Sequence, residues 1–239
     1  AAVEKDAEAF SRLIVEEVRK PLKEARREVA RAAFCLGWAA EECRRIVGEL
    51  LPLDLDANSE GRFALVKRVP RGPAFFITPF NFPLNLVAHK VAPAVAVGLP
   101  FALKPDPRAP KTPAIEAAVS DERFKIISFT GSTRVGWRLK TLAPKAHVVL
   151  ELGGNAGVFV DAGADLAWAA ARCAWGAYYY SGQVCISVQR IFVEKSVHEE
   201  FRRLLVANIK ELKIGDPGSE ATDIGPLISQ SHLENVEGF

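Results

Sequence analysis

The stretch from residue 72 to residue 105 restricts the fold more than any other. Gly72 to Ile77 is an apolar run that reads as a buried strand ending at the turn Thr78-Pro79-Phe80-Asn81-Phe82-Pro83. Leu84 to Val97 follows as a helix of small apolar residues, in which Pro93 predicts a kink and Gly98 a C-cap. Phe101-Ala102-Leu103-Lys104-Pro105 is the next strand. Two strands joined through a helix cannot pair as a hairpin; the crossover makes them parallel members of one sheet. The fold class is therefore α/β. Parallel sheets of this kind bind ligands beyond the carboxyl ends of their strands, where Asn81 and Lys104 both fall.

The flanking segments extend this pattern. Residues 4 to about 48 read as helices, with Phe10, Leu13, Ile14 and Val18 at helical spacing and Pro21 at a junction. Ala30, Ala33, Phe34, Leu36 and Gly37 are expected to form a closely packed inner face. Leu51, Leu53 and Leu55 alternate with polar residues, and Phe63 to Val69 follows the turn Asn58-Ser59-Glu60-Gly61, which predicts a β-hairpin. Such a hairpin is either an arm joining subunits or an ordinary edge hairpin. A helix is expected over Thr112 to Val119, a strand over Lys125 to Phe129, and a glycine turn over Thr130 to Gly136 opening a helix from Trp137 to Leu142. Val148 to Leu150 is a strand ending at Glu151, and Ala156 to Val160 is another. Asp165 to Tyr179 is a helix whose Trp168 and Trp175 are expected in the core or at a domain contact, with Cys173 in a structural position. Ile186 to Val193 reads as a strand, Ser196 as the cap of a helix over His198 to Glu211, and Ser229 as the cap of a last helix.

The bulk numbers exclude more than they assign. A net charge of +2 on 31 basic and 29 acidic residues gives no pull toward nucleic acid or a membrane surface. No apolar run reaches the length of a membrane span, and residues 1–10 mix charges unlike a signal peptide. The four cysteines (Cys35, Cys43, Cys173, Cys185) and four histidines are scattered. That argues against a disulfide framework and against a metal site, and fits a reducing, cytoplasmic compartment. Methionine is absent, and the chain opens and closes inside helical patterns. Both features read as a partial chain; unwritten modified methionines are the alternative account of the first.

Three turns carry groups that suit a covalent reaction at a carbonyl. Tyr180-Ser181-Gly182-Gln183-Val184-Cys185 supplies a thiol, Glu151-Leu152-Gly153-Gly154-Asn155 a carboxylate, and Pro79-Phe80-Asn81-Phe82-Pro83 an amide. These are a nucleophile, a base and an oxyanion donor. Gly131 and Ser132 stand between a strand and a helix, where backbone N–H groups meet an anion. Singly, each has a plainer reading: a buried cysteine, a turn asparagine, a strand exit.

Together, the motifs resemble the aldehyde dehydrogenase superfamily. The matching stretches are Thr78 to Pro83, Leu103-Lys104-Pro105, Phe129 to Thr133, Glu151 to Asn155, Gly182 to Cys185, and Gly215-Asp216-Pro217 with Gly225-Pro226-Leu227, in the family's order. The resemblance implies a Rossmann-like cofactor domain over 1–50 and 71–152, an oligomerisation hairpin over 51–70, and the start of an α/β catalytic domain over 153–239. It implies oxidation of a small aldehyde to its acid through a thioester on Cys185. The oxyanion is held by Asn81 and the Cys185 backbone, and Glu151 activates the hydrolytic water. Cofactor roles fall on Ile77, Thr78, Pro79, Phe80, Lys104, Gly131, Ser132, Leu152 and Gly153. NAD is favoured by Asp106, with NADP also possible, and the partner is a second copy in a homodimer or homotetramer. Against the family, the segment between Ala114–Val119 and Ile126 looks shortened, and N-terminal and C-terminal parts are missing. Two alternatives stay open: a coenzyme-A-acylating semialdehyde dehydrogenase, which Glu151 disfavours, and a non-catalytic member, which the intact Cys185, Glu151 and Asn81 disfavour.

Overall fold

The computed structural model describes residues 2–106 and 119–238. The helix expected over Thr112 to Val119 lies outside the described residues, Val119 excepted.

The chain opens with helices α1 (Ala2–Lys5), α2 (Ala7–Val18) and α3 (Leu22–Glu42), then a hairpin of β1 (Glu49–Pro52) and β2 (Phe63–Val66). A parallel unit follows: β3 (Ala74–Ile77), α4 (Asn85–Ala96) and β4 (Phe101–Lys104). β5 (Ile126–Thr130), α5 (Thr133–Leu142) and β6 (His147–Glu151) complete a four-stranded sheet of order β4-β3-β5-β6, parallel throughout. β7 (Gly157–Val160), α6 (Leu166–Tyr178) and β8 (Arg190–Val193) form a second parallel unit, trailed by α7 (His198–Glu211) and α8 (Gln230–Glu237).

β3 is buried at all four residues, as a central strand covered on both faces should be. Phe75 and Ile77 face one side with Ile127, Phe129 and Leu139, while Ala74 and Phe76 face the other with Ala94. The register aligns the strand ends: Ile77 lies opposite Lys104 and Phe129, and Thr130 opposite Glu151. One edge of the sheet therefore presents four chain exits in a row. α4 contains Pro93 and stops at Gly98 (φ 66°), where the Leu99 amide bonds the Ala94 carbonyl at 2.8 Å and the Gly98 amide the Val95 carbonyl at 3.0 Å.

Several local expectations are corrected. The inward stripe of α3 is Leu22, Ala25, Val29 and Ala32 with Glu24 and Glu28, and Phe34 is 71% exposed. Glu28 belongs to the buried face because Lys20 and the Leu84 and Asn85 amides meet it there, and Glu24 is held by Arg27 through one oxygen. β1 ends at Pro52, before the alternation of leucines does, because the Asp56 carboxylate accepts the Asn58 and Ser59 amides and turns the chain early. α5 starts at Thr133, four residues before Trp137, with Ser132 as its N-cap and Gly136 inside it. Of the strand expected from Ile186, only Arg190–Val193 pairs. Ser196 lies in a 3₁₀ turn and bonds Glu194, so Val197 rather than Ser196 is the residue before α7. Trp168 and Trp175 are exposed; Arg172 stacks on the second.

Arg19 ends α2 in the left-handed region (φ 57°), with its amide on the Val15 carbonyl. A side chain there costs energy that glycine avoids. We predict that Arg19→Gly raises stability by about 0.5–1 kcal/mol, read as a higher urea midpoint. A lower midpoint would contradict this.

Candidate active site

The sheet edge opens into a cleft of about 620 Å³. Its walls include every residue that the sequence singles out: Cys185, Glu151 and Asn81, then Ile77, Thr78, Pro79, Phe80, Lys104, Gly131, Ser132, Leu152 and Gly153. They come from five chain segments, brought together by strand register and by the loop ahead of Cys185.

That loop is strained. Tyr180 (φ 46°, ψ 48°), Ser181 (φ 56°, ψ 28°) and Gly182 (φ 73°) are all left-handed, and the two with side chains cost on the order of 1–2 kcal/mol each. Side-chain bonds hold it. The fully buried Tyr180 hydroxyl donates to the Val18 carbonyl at 2.7 Å. Ser181 Oγ donates to the Gly225 carbonyl at 2.7 Å, and Gln183 Oε1 accepts the Ile228 amide at 2.9 Å. Gly225 is required at its place, because a Cβ would lie 2.8 Å from the Arg19 carbonyl oxygen. Cys185 leaves this loop exposed to solvent, whereas burial pushes the Cys35 and Cys173 thiols up.

Asn81 Nδ2 donates to the Gln183 carbonyl at 2.9 Å, while its Oδ1 is buried with no protein partner among the described residues. The carbonyl fixes which end of the amide faces the cysteine loop. One N–H of Nδ2 is used and the second remains to donate. On the third segment, the Glu151 carbonyl accepts the Gly131 amide at 3.0 Å, tying the exits of β5 and β6 together. Gly131 thus serves by lacking a side chain, since a Cβ would meet the Phe129 ring at 2.6 Å. Its amide is not on offer to an anion. Gly154 runs so close to the cysteine loop that a Cβ would sit 3.0 Å from the Cys185 carbonyl oxygen.

The cleft lining also includes the start of α5. The Ser132 side chain makes no capping bond, so the first-turn amides of α5 carry no side-chain acceptor at the cleft wall formed by Ser132 and Val135. Lys104 and Asp106 line the same cleft. Among the described residues no cluster of histidine, cysteine and carboxylate side chains could hold a metal, and no helix is long and apolar enough to cross a membrane.

The sequence profile described as "Aldehyde dehydrogenase family" matches residues 1–122 and 112–239, together the whole chain. The chain belongs to the aldehyde dehydrogenase family. It is 37% identical to an aspartate-semialdehyde dehydrogenase of Pseudomonas canavaninivorans, over 98% of this chain and 55% of that protein. It is 38% identical to a 3-sulfolactaldehyde dehydrogenase of Priestia aryabhattai, over 96% and 54%. The crystal structure of aldehyde dehydrogenase 21 from Physcomitrella patens, in complex with the reaction product succinate, superposes with a TM-score of 0.93 at 39% identity, covering 99% of this chain and 55% of that one. The chain thus spans about half the length of the family members it matches. The first of these matches runs over 260 residues yet takes in 98% of 239, about 234, so roughly 26 aligned positions have no counterpart here. The profile match breaks and resumes at 112–122, where the sequence reading finds the family's chain shortened.

The sequence reading missed Lys90 in this member of the family. It is 8% exposed and donates from Nζ to Ser128 Oγ at 2.6 Å. Burial pulls its pKa down to about 8, and the Glu151 carboxylate works in the opposite direction. The only sequence signal is a lysine in the middle of the small-residue run Val87 to Val95. His232, which lines the cleft from α8, carries no motif signal, and Gln183 was read only as part of the cysteine motif.

For Lys90 the folded pKa lies below the unfolded one, so the unfolded chain binds more protons between about pH 8 and 10.4 and stability rises with pH across that window. We predict that the stability difference between wild type and Lys90→Met moves in favour of wild type by roughly 2–3 kcal/mol from pH 7 to pH 10. Denaturant titrations giving a flat difference would contradict this.

Proposed function

We propose that the protein oxidises a small aldehyde to the carboxylic acid, with NAD or NADP as hydride acceptor and Cys185 as nucleophile. The observation that carries this reading is that the Cys185, Asn81 and Glu151 residues line one cleft, whose lining also includes Lys104 and the start of α5.

The Cys185 thiolate adds to the aldehyde carbon, forming a C–S bond and an oxyanion. The second Nδ2 hydrogen of Asn81 and the Cys185 backbone N–H donate to that oxyanion. The bond from Asn81 to the Gln183 carbonyl keeps the donor end of the amide turned that way. When bound, the nicotinamide supplies the acceptor for the hydride leaving the carbon, and the product on Cys185 is a thioester. Glu151 then takes a proton from water, the water oxygen attacks the thioester, and the acid and the thiol separate.

Lys104 would hold the adenosine ribose, the first turn of α5 at Ser132 the pyrophosphate, and the backbone of Ile77 to Phe80 with Leu152 and Gly153 the remainder. The chain's own residues fit: uncapped amides and a lysine line one cleft, in which the carboxylates are Asp106 and the proposed base Glu151. That carboxylate favours NAD if it reaches the ribose. Among similar structures, glyceraldehyde-3-phosphate dehydrogenase of Bacillus halodurans is complexed with NADP, and an aldehyde dehydrogenase from Sinorhizobium meliloti is NAD-dependent. Relatives are named for lactaldehyde and 3-sulfolactaldehyde, which supports a short polar aldehyde as substrate class. The four unpaired cysteines accord with a reducing, cytoplasmic setting.

The same reading makes the protein a homodimer or homotetramer, joined in part through the hairpin. Among the described residues β1 and β2 pair only with each other; they expose Leu50, Phe63 and Leu65, and the connection between them exposes Leu55. We predict that Leu50→Glu with Leu65→Glu lowers the mass of the full-length protein in light scattering. A native protein that is already monomeric at micromolar concentration would refute the assembly.

For the chemistry, we predict that Glu151→Gln still releases a first equivalent of NADH or NADPH in stopped flow and then stalls, with an acyl adduct on Cys185 visible by mass spectrometry. Asn81→Ala should slow the burst itself by about a hundredfold. Absence of any burst from Glu151→Gln that still binds the nucleotide would move Glu151 to thiol activation and overturn the assignment.

A further inference from the structure

Lys20 and Glu28 are wholly buried, off the cleft, and take no part in the chemistry above. Their contacts are unusual for an ion pair that only fills a core. The Lys20 ammonium meets Glu28 Oε2, and it also stands 3.7 Å from the centre of the Phe82 ring and 4.7 Å from that of Tyr180. Phe82 follows the oxyanion donor Asn81. Tyr180 begins the left-handed loop that ends at Cys185. The other carboxylate oxygen, Glu28 Oε1, accepts the Leu84 and Asn85 amides at 2.9 and 3.0 Å, which fixes the start of α4 just beyond the asparagine turn. One charge therefore touches both loops that carry reacting groups, and its counter-ion fixes one of them a second time.

We propose that Lys20 is a positioning residue: its ammonium, shared between the Phe82 and Tyr180 rings and held by Glu28, sets the distance between the Asn81 amide and the Cys185 thiol. The inference rests on the reading of Cys185 and Asn81 as nucleophile and oxyanion donor. A cation between two ring faces resists displacement from either, because both contacts are attractive and directional. A neutral side chain of equal length would fill the space without gripping the rings. Loss of the grip loosens the registry of two groups that act on one carbonyl, and displacement of about 1 Å at a reacting centre costs on the order of a hundredfold in rate.

The test separates this from a purely structural role. In the full-length protein, Lys20→Met with Glu28→Gln removes both charges, so neither is left unpaired in the core. Phe82→Leu removes one ring and leaves the ion pair and the α4 amides in place. Each is measured for melting temperature, nucleotide affinity and single-turnover NADH formation, beside Cys185→Ala. The expected result is nucleotide affinity within threefold of wild type and NADH formation slowed at least tenfold, even where the melting temperature is recovered. Phe82→Leu should show the same slowing if the double variant fails to fold. NADH formation within threefold of wild type in folded Phe82→Leu overturns the proposal. If Cys185→Ala turns over normally, the underlying reading fails instead.

Discussion

An ammonium and a carboxylate with no exposure to water lie at the join between the N-terminal helices and both loops of the cleft. Removing two such charges from solvent costs several kcal/mol per ion, and the pair alone does not always recover it. Here the charges have additional partners: two backbone amides on the carboxylate and two aromatic faces on the ammonium. Burial lowers the Lys20 pKa, while the carboxylates of Glu28 and Glu24 oppose that shift. An arrangement with this many partners tolerates little displacement, so α3, the start of α4, the asparagine turn and the cysteine loop behave as one packed unit around Tyr180, Val184, Phe80 and Phe82.

The parallel sheet contributes in a different way. Its register delivers chain exits to one edge, and its two-sided core keeps them fixed. The wall proposed for the nucleotide is therefore built on strand ends and a helix start, and the thiol on an irregular loop. The first draws on the ordinary geometry of parallel strands. The second needs three left-handed residues in succession, stable only because Val18, Gly225 and Ile228 each supply a backbone partner.

These differences explain what was legible in the sequence. The crossover unit, the strand ends at Ile77, Lys104 and Glu151, and the set of cleft residues could be read, because strand runs, glycine turns and polar groups at their exits lie close together along the chain. Lys20, Glu24, Glu28 and Lys90 could not. A periodicity argument sends charged residues to solvent, and only the fold shows which of them meet partners inside. The left-handed backbone of Tyr180 and Ser181 was equally hidden, since neither is glycine and the bonds that stabilise it come from distant segments. The helix start at Thr133 was misread because the glycine turn to Gly136 was taken as the boundary, while the first hydrogen-bonded turn decides it; the start at His198 was legible, and only its cap was misassigned to Ser196.

The bond from the Tyr180 hydroxyl to the Val18 carbonyl closes a loop of 162 residues, and the pair Lys23–Asp223 spans 200. Contacts of such sequence separation form late, after the entropy of closing the intervening chain has been overcome. During synthesis α2 and α3 leave the ribosome long before the cysteine loop does. The nascent chain therefore carries Cys185 as an ordinary thiol on relaxed backbone. It acquires its final setting only when the loop docks against helices made more than a hundred residues earlier, so that assembly of the proposed reactive centre reports completion of the fold.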